Sequence, residues 1–361
     1  MASKNLNLSH YISRYIRKKT FIYLKMIIFV ALVVGGTYIT ASAQVIKLHL
    51  ASWNVPADPT TKVLETIAAD LKTATGGRVT SEISFQALGK PGDYYDALAG
   101  GLCDIAYIGL PYTPGRFPLS EGLMLPIAYP NNIIRVKTAY AMWKKGFFDK
   151  QFANIKVFAI ANTVDFLFMW RKTPVTTLTG FKGKKVSAPG GIQTEMVGAT
   201  GATPVNMPVT EIYSALETGV IDGACQGWPF IPVFKAQEVV KYATEPSRSA
   251  FPCIIAINKA SYNKLPKEAK AVIDNNSEKY SLMQAEGFQK FNDLGRKMFL
   301  DAGGKIDTLS AADTAELDRL YKPIFSKWAT AAKAKGLPAD RFLDELYVVL
   351  VGLDVKEPFA R

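Results

Sequence analysis

Two histidines stand in the 361 residues, His10 and His49, and three cysteines, Cys103, Cys225 and Cys253. That inventory bounds the chemistry. A histidine-rich metal centre or a histidine-dependent triad needs more imidazole than a chain offers when one of its two histidines lies in the first ten residues. No C-x-x-C pair, glycine-rich phosphate loop, G-x-S-x-G elbow or H-E-x-x-H run occurs. Asp and Glu are plentiful, but nothing singles out a pair for acid–base work, so no catalytic residue, metal or cofactor is expected. The three cysteines permit one bridge or three buried thiols. What stands out instead is aromatic. Trp53 follows the first strand-like run, Tyr112 follows a later one, and Trp170 and Trp228 lie further along. In open α/β sheets, small molecules bind beyond the carboxyl ends of strands, where Trp53 falls; Tyr112 is a candidate for an aromatic wall.

The elements that must position these residues begin after about residue 44. Arg14, Arg17, Lys18, Lys19 and Lys25 precede an apolar run from Met26 to Ile39, then Ala41-Ser42-Ala43. A positive flank, a short apolar stretch and a small-residue site make a secretory signal cleaved after Ala43. An uncleaved anchor is the alternative, and the run is short for a bilayer that needs about 20 residues. Residues 1–43 hold six of the 43 Lys and Arg and none of the 31 Asp and Glu, so the formal charge of +12 becomes +6 in the mature chain. No mature segment interleaves basic and aromatic residues, and nucleic-acid binding is unsupported.

From Val45 the pattern is strand, helix, strand, helix, strand. Val45–Ala51 and Val79–Phe85 alternate, and Val63, Leu64, Ile67, Ala68 and Leu71 share one face of a helix over Thr60–Ala74. Asp93–Leu98 is a short helix, and Asp104–Ile108 a buried strand. This is the grammar of an α/β lobe. It recurs. Tyr95, Ala97, Leu98, Gly101 and Asp104 match Tyr213, Ala215, Leu216, Gly219 and Asp222 in register. Two similar lobes are expected, 44–164 and 165–255, with a strand in 256–361 returning to the first. Glu268–Phe299 reads as one continuous helix of some 45 Å at 1.5 Å per residue, long enough to cross both lobes. Ala311–Lys335 and Ala339–Leu350 complete a helical C-terminal part. Two lobes leave a cleft, the preferred place for a small-molecule site and for hinge closure.

Several segments stand in a telling order: Ala87-Leu88-Gly89, Pro114-Gly115-Arg116-Phe117-Pro118-Leu119, Gly180-Phe181-Lys182-Gly183-Lys184-Lys185-Val186, Gly201-Ala202-Thr203-Pro204-Val205, Met207-Pro208 and Glu211 to Gly223. In these the chain resembles the extracytoplasmic solute receptors of tripartite ATP-independent periplasmic (TRAP) transporters, the dicarboxylate-receptor-like (DctP-type) branch. The resemblance covers nearly the whole mature chain and is most specific from Gly180 to Gly223. It implies a two-lobed periplasmic binding protein fold (type II-like), no catalysis, and delivery of a small organic solute to the membrane permease subunits of a sodium- or proton-coupled transporter. An ATP-driven (ABC) transporter receptor and a secreted hydrolase are the rival readings.

The family places an Arg after the lysine-rich strand, and often a second about 20 residues earlier. Here those positions hold Ser187 and Leu167. A guanidinium fork matches a carboxylate, so its loss leaves three readings: an organic acid held by another cation such as Arg171, a neutral or cationic solute against an aromatic wall, or an aromatic acid held by stacking and Ser187. The resemblance further implies Met207, Gln226 and Trp228 at the cleft. Arg116 in Pro-Gly-Arg-Phe-Pro reads as a structural ion pair, His49 as a strand residue, and Tyr95, Asp104, Tyr213 and Asp222 as scaffold.

Overall fold

The computed structural model describes residues 6–35, 45–163, 165–356 and 359, which form two separate units. The first is a single helix, α1 (Leu6–Gly35), whose basic flank is exposed. The expected cleavage site at Ala43 lies outside the described residues. Among these residues no helix is long and apolar enough to cross a membrane.

The second unit carries two sheets. Its first lobe runs β1 (Ile46–Ser52), α2 (Thr60–Ala74), β2 (Val79–Phe85), α3 (Tyr94–Ala99), β3 (Ile105–Gly109), α4 (Pro118–Glu121), α5 (Asn132–Lys144) and β4 (Ile155–Asn162). The chain then enters the second lobe: β5 (Phe166–Trp170), β6 (Lys185–Ala188), α6 (Gly191–Ala199), β7 (Thr203–Asn206), α7 (Val209–Thr218), β8 (Gly223–Gln226), α8 (Phe230–Phe234) and β9 (Tyr242–Ser249). It returns through β10 (Pro252–Asn258), α9 (Lys259–Lys264), α10 (Lys267–Asn275) and α11 (Ser277–Asp301). It ends with β11 (Lys305–Thr308), α12 (Ala311–Ala334) and α13 (Ala339–Gly352). The sheet orders are β2-β1-β3-β10-β4 and β11-β9-β5-β8-β6-β7. Read from the β2 and β7 edges, they are one topology twice, with β11 added to the second.

The pattern of apolar residues explains the layers. Val63, Leu64, Ile67 and Leu71 are the buried stripe of α2, each contributing roughly 2 kcal/mol on leaving water. Every residue of β3, β5 and β10 is buried, as central strands covered on both faces require. The in-register repeat has a mechanical meaning. Asp104 accepts the His49 N–H on Oδ2 at 2.8 Å and donates its own N–H to the His49 carbonyl at 2.9 Å. Asp222 does the same to Lys185, at 2.8 and 2.9 Å.

Two of the connections between the lobes lie side by side. Thr163 donates its N–H to the Phe251 carbonyl at 3.1 Å, Asn162 pairs with Pro252, and Phe166 pairs with Ser249. The returning strand starts at Pro252, a little before the expected 256.

The helix expected over Glu268–Phe299 is two helices, broken at Asn276. Asn276 turns out of helical geometry and its Nδ2 donates to the Val272 carbonyl at 2.9 Å, the competition with the backbone for which Asn is a poor interior residue. The 25 residues of α11 still span about 37 Å at 1.5 Å per residue, enough to serve both lobes. Gln284 donates to Thr60 Oγ1 of the first lobe at 3.1 Å. Gly295 lets α11 lie against the Trp228 carbonyl of the second, where an added Cβ would come within 2.1 Å of that oxygen.

The three cysteines are buried, and none forms a disulfide. His49 Nε2 is 2.6 Å from Ser84 Oγ on the neighbouring strand. Arg116 pairs with Asp96 at 2.5 Å and lies 4.1 Å from the centre of the Tyr95 ring, as the structural reading of Pro-Gly-Arg-Phe-Pro has it.

Candidate functional site

The carboxyl ends of β1 and β3 in the first lobe and of β8 in the second meet around one pocket. Trp53 follows β1, Tyr107 lies in the middle of β3, and Tyr112 and Phe251 close the same wall. Trp53 stacks on Tyr107 with centroids 5.4 Å apart and meets Tyr112 edge-on at 5.1 Å. Phe251 packs edge-on to Tyr112 at 5.0 Å. Gly109 permits this cluster, since a Cβ there would lie 2.9 Å from the Phe251 ring and 3.0 Å from Tyr112. The second lobe supplies Gln226, Gly227, Val209 and the α8 segment with Phe230, Val233 and Phe234. The crossover supplies Thr163 and Phe166, and α11 supplies Phe288. Eight of the sixteen lining residues are aromatic. The space between the walls is about 540 Å³, counting the solvent the pocket opens to. Across the cleft the Val209 N–H donates to Tyr112 Oη at 3.3 Å.

Asp58 is the one lining residue with a formal charge, and there is no lysine, arginine or histidine among the lining residues. It is 6% exposed. Oδ1 accepts the Thr60 N–H at 2.8 Å, and Oδ2 accepts from Asn54 Nδ2 at 2.6 Å. Burial pushes its carboxyl up from 3.8 to about 6, and the hydrogen bonds from Thr60 only partly offset that. Burial likewise pushes the Tyr107 and Tyr112 phenols up. Two polar groups at the pocket are buried with no partner among the described residues, the Trp53 Nε1 donor and the Thr163 hydroxyl.

Of the residues expected from the sequence, Trp53, Tyr112 and Gln226 come together here. Leu167 and Trp228 line an adjoining hollow with Tyr129, Asp165, Glu245 and Arg248. There Trp228 Nε1 donates to Glu245 Oε1 at 3.2 Å. Arg248 pairs with Asp318 at 3.1 Å; Arg135, 1% exposed, pairs with Asp165 through Nη2 and lies 4.4 Å from the Tyr129 ring centre, while its Nε and Nη1 are buried with no partner among the described residues.

Three other expected residues lie outside this pocket's lining. Arg171 sits past the far end of β5, five residues beyond Phe166, or about 17 Å at 3.3 Å per residue. It donates to the Glu217 carbonyl at 2.6 Å, satisfying the last turn of α7 as a basic side chain at a helix C-terminus does. Ser187 is fully buried in β6, beside Ala224 and Val205, and lines no part of the pocket. Met207 packs on the second lobe's core two residues before the lining Val209, and its N–H donates to the Ala188 carbonyl.

Asp58, Asn54, Phe166, Phe251 and Phe288 were not foreseen. Asp58-Pro59-Thr60 carries the signature of a helix start, which it also is. The phenylalanines come from three distant segments that only the closed fold unites.

Two similar α/β lobes, joined by paired crossovers and facing each other over a ring-lined pocket, define a solute-binding receptor. Residues 50–331 match the family model described as bacterial extracellular solute-binding protein, family 7 (DctP), and the chain belongs to that family. Among solved structures, a TRAP solute-binding protein from Rhodoferax ferrireducens T118 with copurified benzoate superimposes with a TM-score of 0.80 at 25% identity. It covers 85% of this chain and 98% of that one. A marine-metagenome TRAP solute-binding protein specific for aromatic acid ligands, bound to metahydroxyphenylacetate, gives 0.78 at 28% identity over 85% and 99%. The outer membrane transporter protein TsaT of Comamonas testosteroni is 24% identical over 330 residues, 87% of this chain and 94% of that one. The chain is thus a solute receptor of the TRAP type, from a family of binding proteins.

Proposed function

We propose that this receptor works in the periplasm after removal of residues 1–43 and captures a small aromatic solute between its lobes for delivery to the permease subunits of a TRAP transporter. The observation that carries this reading is the convergence of eight aromatic side chains on one interlobe pocket. Offset and edge-on ring contacts are worth about 0.5–1.5 kcal/mol each beyond the area they bury, so a flat ring gains more here than a chain-like dicarboxylate. The unpartnered Trp53 Nε1 and Thr163 hydroxyl supply directional contacts for a substituent. The ring-bearing ligands of the Rhodoferax and marine-metagenome receptors support the same reading.

Mass spectrometry of the solute retained through native purification, followed by thermal shift with ring compounds, tests it. Ligand at a hundred times its Kd adds about 2.7 kcal/mol to the folded state, a rise of several degrees. Binding without product formation is the expected result. Stabilisation only by short aliphatic acids would refute the aromatic assignment.

A further inference from the structure

We propose that the bound solute carries a basic nitrogen, held against Asp58 inside the aromatic walls, rather than a carboxylate. This rests on reading the interlobe pocket as the solute site, and it concerns the charge of the solute's head group.

The first ground is the charge inventory. Among the described lining residues Asp58 is the only group with a formal charge. Arg248 and Arg135 both lie outside this lining, paired with Asp318 and Asp165, although Arg135 keeps Nε and Nη1 without a partner among the described residues. A carboxylate entering this pocket would meet a second buried carboxylate and no cation, an arrangement that burial penalises heavily.

The second ground is the way Asp58 is held. Its partners, the Thr60 N–H and hydroxyl and Asn54 Nδ2, are all neutral donors. A carboxylate offers about four acceptor positions, so these three leave room for a further donor. The Thr60 bond caps α2, which accounts for one oxygen. The cap alone explains neither the side chain's place in the pocket wall nor the absence of a balancing cation. An ammonium group supplies that charge, and the faces of Trp53, Tyr107 and Tyr112 favour it further.

The groups around Asp58 leave it as the site's titrating unit near neutral pH. Tyr107 of β3, Cys253 of β10 and Tyr112 all have their acid forms favoured by burial. From α11 come Gln284, through Thr60, and Phe288; from β8 comes Gln226. On its outer side Asp58 borders a surface hollow with Lys62, Glu65, Glu286 and Lys290, two charges of each sign. The raised carboxyl pKa of about 6 reflects burial, with no cation among its causes.

The test compares three probes of one shape, phenethylamine, phenylacetate and 2-phenylethanol, by calorimetry and thermal shift on the purified exported protein. Phenethylamine is expected to bind best at pH 8 and about tenfold more weakly at pH 5, as Asp58 takes up its proton. Asp58→Asn keeps a side-chain oxygen that can accept the Thr60 N–H and removes the charge; it should cut phenethylamine affinity more than tenfold relative to that of 2-phenylethanol. Tighter binding of phenylacetate than of phenethylamine at pH 8 would overturn the charge assignment while leaving the aromatic receptor intact. Phenethylamine binding unaltered in Asp58→Asn would overturn the role of Asp58. No response to any of the three would bring down the aromatic reading, and this inference with it.

Discussion

The two lobes share a scaffold and differ where they meet. Their sheets have the same strand order, and Asp104 and Asp222 clamp the same pair of strands with the same two hydrogen bonds. Three residues past each aspartate, β3 carries Tyr107 and β8 carries Cys225; eight past it stand Tyr112 and Phe230. The similarity sits at the clamped ends of the strands and fades toward the pocket ends. A repeated fold therefore fixes where the walls stand, and its unmatched strand ends decide what they hold.

The largest expected effect breaks the equivalence at the pocket. Tyr107→Ala empties a fully buried ring site and should cost roughly 3–5 kcal/mol. Cys225→Ala at the matching position removes one sulfur and should cost about 1 kcal/mol; urea unfolding of both variants measures the contrast. A comparable loss in the two would mean that the lobes carry equal packing at these positions.

The next effect separates the lobes by pH. The Asp58 carboxyl rises from 3.8 unfolded to about 6 folded, so between those values the folded state binds more protons than the unfolded one. Its contribution is fully present below about 4 and is lost as pH rises through 6, a decline of about 3 kcal/mol. The ligand-free protein should lose that stability between pH 4 and 7, and Asp58→Asn should flatten the profile in denaturant titrations.

Smaller effects probe the shared clamp. Asp104→Ala and Asp222→Ala each leave a strand N–H without its acceptor, at about 1–3 kcal/mol. Asn at either site should recover most of it. Asp104 also accepts from Ser261 Oγ at 2.5 Å, so its loss should be the greater of the two by thermal unfolding. The smallest effect is Arg171→Ala, within about 1 kcal/mol and with solute affinity unchanged, since its partner is the Glu217 carbonyl. A tenfold loss of affinity would return Arg171 to the site.

The scaffold was legible because its signals are local. Glycine-stopped helices, alternating strands and five residues repeated in register spell out two lobes. The break at Asn276 was obscured by apolar spacing that continues through it, although Asn275-Asn276-Ser277 carries the backbone-competing side chains that end a helix. The pocket was half legible. Trp53 follows from the rule that strand ends face the cleft, Tyr112 from the expectation of an aromatic wall, and Gln226 from the resemblance. Arg171 misled because closeness along a strand is not closeness in space: Phe166 reaches the pocket and Arg171 lies at the strand's other end. Phe251 and Phe288 could not be read, since nothing in either neighbourhood of the chain records that they converge.

The paired strands between the halves have one more implication. Because the Thr163 N–H is bonded to the Phe251 carbonyl and residues 162 and 166 are laddered to 252 and 249, the connection behaves as a strap two chains wide. Such a ribbon flexes across its flat face more readily than it shears along its bonds. A strap of that kind favours a swing between the lobes over a slide of one past the other.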